Sequence, residues 1–340
     1  MNIILIAEKN HYRDWKGKTY FDILTKYALS SENNVQLIFS DQYSEFNINI
    51  IKGFNPHIVV FFTTGSAGEI HFFDYVFDIG IPIFLCGLDV FHFDSCVACK
   101  TTQLCNGLIH FGKCSKIESC YKTYFPNKIQ TSFKGRFINS NVYKDYHNNK
   151  DIDILIYGSR NVPVKLYNNT MEREYKNKYE NHHQIQLLDK PNFYPLREKV
   201  EHILSNTGDK YRVCILPEAT IFNQIYANEE LSNLINRAHL TLACTSRMDV
   251  PFAKYFEIAA SYSCILGNIP TDYTELFTNN IVEITEWMTD DEILSKIDSA
   301  LENKKELYEK TRRLGDRVHA EYNLAASVQN MDEVITNLCK

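Results

Sequence analysis

Short apolar runs alternate along the chain with segments whose apolar residues recur at helical spacing. Ile3–Ala7, Val35–Phe39, His57–Phe62 and Ile81–Cys86 are β-branched or aromatic, are bounded by turn residues, and predict buried strands. Phe21, Leu24 and Ala28 predict a helix over Tyr20–Leu29, between the first two strands. Strand–helix–strand order predicts parallel sheets buried on both faces. The rhythm restarts at residue 152. Strands are predicted at Ile152–Tyr157, Val213–Leu216, Leu240–Cys244 and Cys264–Gly267; Pro195 opens one helix, Asn228 caps another, and a third spans Lys254–Tyr262. Thr289-Asp-Asp-Glu292 is a capping box ahead of a further helix. Leu324, Val328, Met331, Ile335 and Leu338 make the apolar stripe of a last one.

The pattern therefore predicts an α/β chain of two Rossmann-like halves: a domain over residues 1–145, a second over 151–322, and a terminal helix over 323–340. The polar, unpatterned stretch Tyr143–Lys150 is expected to be the linker and hinge. Two doubly wound halves are expected to turn their strand carboxyl ends toward one cleft, because ligands of such sheets bind beyond those ends.

Composition narrows the function. Of 340 residues, 44% are hydrophobic and 23% charged, enough for two ordinary cores. The net charge is −6 with no basic block, so a nucleic-acid grip built on phosphate neutralisation is not expected. No apolar run approaches the ~20 residues of a membrane span. The apolar stretch at the amino end, Ile3–Ala7, is too short for a signal segment, so a cytoplasmic chain is expected. Ten cysteines are too dilute for a disulfide scaffold. Cys96, Cys99, Cys105, Cys114 and Cys120 form a cluster, but the later spacings give no second Cys-x₂-Cys. Free thiols are the expectation, no metal site is assigned, and structural zinc is the alternative.

Residues 245–268 carry the most chemistry. A loop with Arg247 and Asp249 follows a strand, Pro251 is expected to start a helix, and that helix bears Lys254, Glu257 and then Ala259, Ala260 and Ser261. A helix amino end is an anion site, and a carboxylate one or two turns in can accept two ribose hydroxyls. The plain readings are an exposed Glu257 paired with Lys254, and Asp249 as a helix cap. Arg160 and Arg197 suit a diphosphate because a guanidinium offers a fixed fork of donors; either could instead be a surface ion pair, and Lys165 is weaker. Thr63-Thr-Gly65-Ser-Ala-Gly-Glu69 follows a predicted strand and would offer N–H groups to a phosphate or sugar, or be a tight turn. It lacks the lysine of a P-loop.

Asp249 and Glu257, eight residues apart ahead of small residues and a strand, resemble the E-x₇-E segment of GT-B glycosyltransferases of the retaining group-1 type, with Asp in the first position. Asp151-Ile-Asp-Ile-Leu-Ile-Tyr-Gly-Ser-Arg160 resembles the family's first carboxyl-domain strand and its glycine turn. Tyr194-Pro-Leu-Arg197 resembles the spore-maturation branch, and Arg312, Gly315, His319 and Tyr322 resemble the GT-B terminal tail. The Asn- and Tyr-rich chain as a whole resembles members from giant DNA viruses.

The resemblance implies a GT-B fold whose last helix crosses back to the amino-terminal domain. It implies transfer of a sugar, with retention and without a metal, from a nucleotide-diphosphate-sugar to a glycan or protein hydroxyl. Glu257 would hold the donor ribose and Asp249 would lie near the transferred sugar. Arg160, Arg197, Arg247, Lys254 and Gly65 are the further donor candidates, and Asp89 is the amino-domain catalytic candidate. The donor is a substrate, so no resident cofactor is implied. The alternatives are a GT-B nucleotide-sugar epimerase and a silent interaction protein with a zinc-bound cysteine cluster.

Overall fold

The structure, a computed structural model, describes residues 1–9, 19–42, 48–63, 76–87, 100–158, 194–216, 228–246 and 249–339. These residues form two compact units. The first runs to Phe137 and takes in the stretch from Leu324 onward; the second lies between, from Ile138 to Asn323.

The first unit is built on β1 (Asn2–Ala7), α1 (Thr19–Ser30), β2 (Asn34–Phe39), α2 (Ile48–Phe54), β3 (Ile58–Phe62), β4 (Ile83–Cys86), α3 (Lys100–Leu104), β5 (Gly107–His110), α4 (Ser115–Tyr124) and β6 (Ile129–Ser132). All six strands are parallel, in the order β2-β1-β3-β4-β5-β6. Every residue of β3, β4 and β5 is buried, as a parallel sheet covered on both faces requires. The sequence pattern misses β5 and β6. The first is only four residues long and opens on Gly107, where a Cβ would press on the Ile129 carbonyl and the Phe84 ring. The second is a half-exposed strand reading Ile-Gln-Thr-Ser, with no apolar alternation.

The second unit holds β7 (Ile152–Ile156), α5 (Pro195–Ser205), β8 (Val213–Ile215), α6 (Glu229–Asn236), β9 (Ala238–Leu242), α7 (Ala253–Ala260), β10 (Cys264–Gly267), α8 (Thr274–Phe277), β11 (Val282–Glu283), α9 (Asp290–Glu302) and α10 (Lys304–Glu321). Its five strands are also parallel, in the order β11-β10-β9-β7-β8. In each unit the first strand lies between the second and third. The topological switch therefore falls between β1 and β3 in one sheet and between β7 and β9 in the other.

Local chemistry explains the boundaries. The Thr289 capping box forms as expected, with Glu292 N donating to Thr289 Oγ1 (3.2 Å) and Thr289 N to Glu292 Oε2 (2.6 Å). Asn228 is the N-cap of α6 as expected, with a left-handed φ of 53° and no capping bond from its side chain; its carbonyl receives the first helical bond, from Ser232 N (2.9 Å). β9 begins two residues earlier than predicted, because Ala238 pairs with Ile152. Pro251 precedes α7 without opening it; Phe252 is the N-cap.

The closing helix, α11 (Leu324–Leu338), belongs to the first unit and packs on α1. Val328, Met331 and Ile335 of the predicted stripe are buried there. Asp332 accepts from Ser31 Oγ (2.6 Å) and Asn33 Nδ2 (2.8 Å). The expected linker 143–150 is instead anchored inside the second unit. Tyr143 is buried, Asn148 N donates to Asn236 Oδ1 (3.2 Å), and the Lys150 ammonium donates to the carbonyls of Asn236, Ala238 and Tyr262, each at 2.8 Å. Burial brings the Lys150 amine down to about 8.

Burial, then the nearby Lys304 and Lys150 ammoniums, pull the imidazole of His239 on β9 down to about 4. The folded chain binds fewer protons than the unfolded chain between about 4 and 6.5, so stability should rise with pH through that window and fall on acidification. The full shift would be worth ~3 kcal/mol, reduced toward about 1 kcal/mol because the ring is half-exposed. Urea melts at pH 7 and pH 4.5 should show the His239→Asn variant losing less stability than the parent; equal losses would remove His239 as the cause.

Candidate functional site

The carboxyl edge of the second sheet at its switch point gathers the end of β7, the loop after β9, the turn after β10 and the amino ends of α5 and α7. Gly158, just past β7, has φ +93°, a conformation L side chains rarely adopt. A Cβ there would collide with Lys254 Nζ and lie 3.4 Å from Arg197 Nη1. Two cations from different helices thus flank one glycine turn.

Each cation is seated on an aromatic ring. Lys254 Nζ donates to the Tyr157 carbonyl (2.5 Å) and stands 4.1 Å from the centre of the Tyr157 ring. The Arg197 guanidinium lies 4.3 Å from the centre of the Tyr194 ring, which meets Phe252 edge-on at 5.6 Å. Arg197 is only 3% exposed, which sets aside the surface ion pair. Glu257, one turn beyond Lys254 on α7, is half-buried. Burial first, then the Glu257 charge, push the Tyr157 phenol well above its ordinary range, so it stays neutral.

Asp249 has a left-handed φ of 59°, its N–H donates to the Ser246 carbonyl (2.8 Å), and its Oδ2 accepts from Thr271 N (3.2 Å). Its carboxylate thereby caps the turn at Thr271–Tyr273, not α7. The loops after β9 and β10 are tied together. Thr245 N donates to Asn268 Oδ1 (3.0 Å), Asn268 Nδ2 to Thr245 Oγ1 (2.6 Å), and the buried Tyr255 hydroxyl to the Asn268 carbonyl (2.7 Å). Gly267 makes this possible, since a Cβ there would strike the Ala243 carbonyl.

Among the sequence candidates, Lys254 and Arg197 come together at Gly158, with Glu257 on the same helix as Lys254. Asp89, Gly65, Arg160 and Arg247 lie outside the described residues, as do Cys96 and Cys99 of the cysteine cluster. Cys105 and Cys114 are buried, and no group of three His, Cys, Asp or Glu that could hold a metal occurs among the described residues. Tyr157, Asn268 and Glu8 are not singled out by the sequence pattern. Glu8, at the end of β1, is 4% exposed, accepts from the buried Thr63 hydroxyl (2.7 Å), and so marks the switch point of the first sheet. The signal that could find them is position: each lies at or directly after a predicted strand end.

The sequence model of a family described as "Glycosyl transferase-like" matches residues 147–333. The chain belongs to that family. The matched segment spans more than half of the chain and includes the whole site just described. No curated protein sequence matches. Among solved structures, the chain is similar to a sucrose-phosphate synthase from Thermosynechococcus elongatus (TM-score 0.60, 11% identity, 99% of each chain covered). It is also similar to HepE of Anabaena in complex with UDP and glucose (TM-score 0.58, 11% identity, 99% of this chain and 100% of that one). A glycosyltransferase from Rickettsia africae gives TM-score 0.57 and 12% identity over 100% of this chain and 98% of that one. These likenesses establish the GT-B fold: two parallel Rossmann-like sheets, with α11 packed against α1 of the first. The chain is thus a member of a glycosyltransferase family, and among its described residues no helix is long and apolar enough to cross a membrane.

The tie between the two glycosyltransferase-domain loops can be tested directly. Asn268→Ala leaves the Thr245 N–H and hydroxyl without their partner and should cost about 1–3 kcal/mol. A denaturant midpoint unchanged from the parent would show the loops to be held by other contacts.

Proposed function

We propose that this glycosyltransferase transfers a sugar from a nucleoside-diphosphate donor to a hydroxyl acceptor, with retention of configuration and without a metal ion. The observation that carries the reading is the pair Lys254 and Arg197 converging on the Gly158 turn, with Glu257 one helical turn on from Lys254. Departure of a nucleoside diphosphate builds negative charge on its phosphates. Cations already in place, together with a helix amino end, stabilise that charge without reorganising at the moment of reaction. Glu257 would accept the ribose hydroxyls, and Arg160 and Arg247 would add cations. HepE was solved with UDP and with UDP-glucose, which makes UDP the first nucleotide to try.

Asp249 would sit near the transferred sugar, and its position at the first acidic place of the motif supports retention. The acceptor would be held by the first unit, with Asp89 or the loop at Gly65 contributing. Glycan and protein hydroxyls are the acceptor class, and the setting would be the cytoplasm.

Glu257→Ala should weaken binding of UDP by roughly 1.5–3 kcal/mol, the range for hydrogen bonds to a charged group. Titration calorimetry on the folded variant decides it; unchanged affinity would take Glu257 out of the site. Transfer should also persist in excess EDTA. Turnover that EDTA abolishes and Mn²⁺ or Mg²⁺ restores would refute the metal-free reading.

A further inference from the structure

Lys254 occupies an unfavourable place. It is the second residue of α7, where the helix dipole opposes a positive charge. Three features hold it there nonetheless. The Tyr157 carbonyl accepts from its ammonium (2.5 Å), the Tyr157 ring lies beneath it (4.1 Å to the centre), and Gly158 leaves empty the space that any Cβ would take. The Tyr157 hydroxyl, by contrast, is buried and has no hydrogen-bond partner among the described residues. A phenylalanine would avoid that cost, and the part of the side chain that meets Lys254 is the ring.

We propose that Tyr157 is a positioning residue: its π face and carbonyl fix the Lys254 ammonium over the Gly158 turn so that it meets the donor diphosphate already aimed. The inference rests on the donor-site reading above. A cation held on a ring gives up less hydration and less side-chain freedom on binding an anion than one that must be gathered from solvent. The helix dipole that makes the position costly for a lysine favours the phosphates once they arrive.

The test is UDP affinity by calorimetry on the full chain, with GDP and ADP run alongside. Tyr157→Phe should leave affinity within about twofold, since the ring remains. Incorporating trifluorophenylalanine at position 157 keeps the shape but drains the π face, and should weaken UDP roughly fivefold. Lys254→Met should weaken it about tenfold, and fluorination added to Lys254→Met should have no further effect. Tyr157→Met removes the π face altogether by ordinary mutagenesis, with a thermal melt to confirm folding. Unchanged affinity on fluorination, or equal loss with and without Lys254, would overturn the positioning role while leaving the donor site standing. Failure of the parent protein to bind any of the three nucleoside diphosphates would overturn the donor site and this inference together.

Discussion

The close approach of α10 to α7 is the constraint on which the second unit's site depends. At Gly315 a Cβ would come within 2.7 Å of the Tyr262 ring and 2.9 Å of the Ala259 carbonyl, so only glycine lets the two helices meet there. Around that point the packing is dense. His319 stacks on Tyr262 (5.5 Å) and reaches the Ala260 carbonyl (2.9 Å), Tyr262 donates to Asp316 (2.7 Å), and Tyr322 packs on Phe256 (4.8 Å). Arg312 lies over the same Tyr262 ring and pairs with Asp145 (3.4 Å). The carboxyl end of α7 is thereby clamped. The helix is only eight residues long, so Lys254 near its start and Glu257 in its middle inherit a fixed direction.

Clamping matters because the site's electrostatics depend on short distances. Coulomb interactions fall with separation and with the polarisability of what lies between, so a cation is effective at a phosphate only if it is in place before the charge develops. Tyr194 and Tyr157 serve the two cations in the same way, as apolar floors that keep water from one side of each charge. Lys150, at the opposite end of β7, shows the structural use of the same residue type: its three donors are all spent on carbonyls and none faces a ligand.

Much of this is legible in the sequence. The buried strands are continuous apolar runs, and Gly158, Arg197 and Lys254 fall at strand or helix ends that the pattern places, with Glu257 one turn into the last of those helices. The tail residues Arg312, Gly315, His319 and Tyr322 read as part of a family tail. Their physical task, gripping α7, needs the fold to be seen. Asp249 illustrates the limit differently. Its spacing to Glu257 is visible, but its left-handed backbone and its bond to Thr271 depend on a turn twenty-two residues away. Likewise β6 pairs through backbone groups, so a polar four-residue strand leaves no side-chain signature. Tyr157 stays hidden because an aromatic at a strand end looks like core until the lysine above it is located.

Both sheets place their first strand between the second and third, yet set different side chains at the switch point. In the second unit the turn after β7 is flanked by Lys254 and Arg197. In the first, the residue after β1 is the buried carboxylate Glu8, held by Thr63 from the end of β3. A buried carboxylate is costly unless it is hydrogen-bonded, and the Thr63 hydroxyl supplies that bond here. In the proposed reaction the two partners make different demands. The leaving diphosphate gains negative charge and needs cations, whereas the incoming hydroxyl gains positive character as its bond forms and needs a proton acceptor or a negative neighbour. On the proposed reading, one topology would serve both demands through the residues that follow its first and third strands.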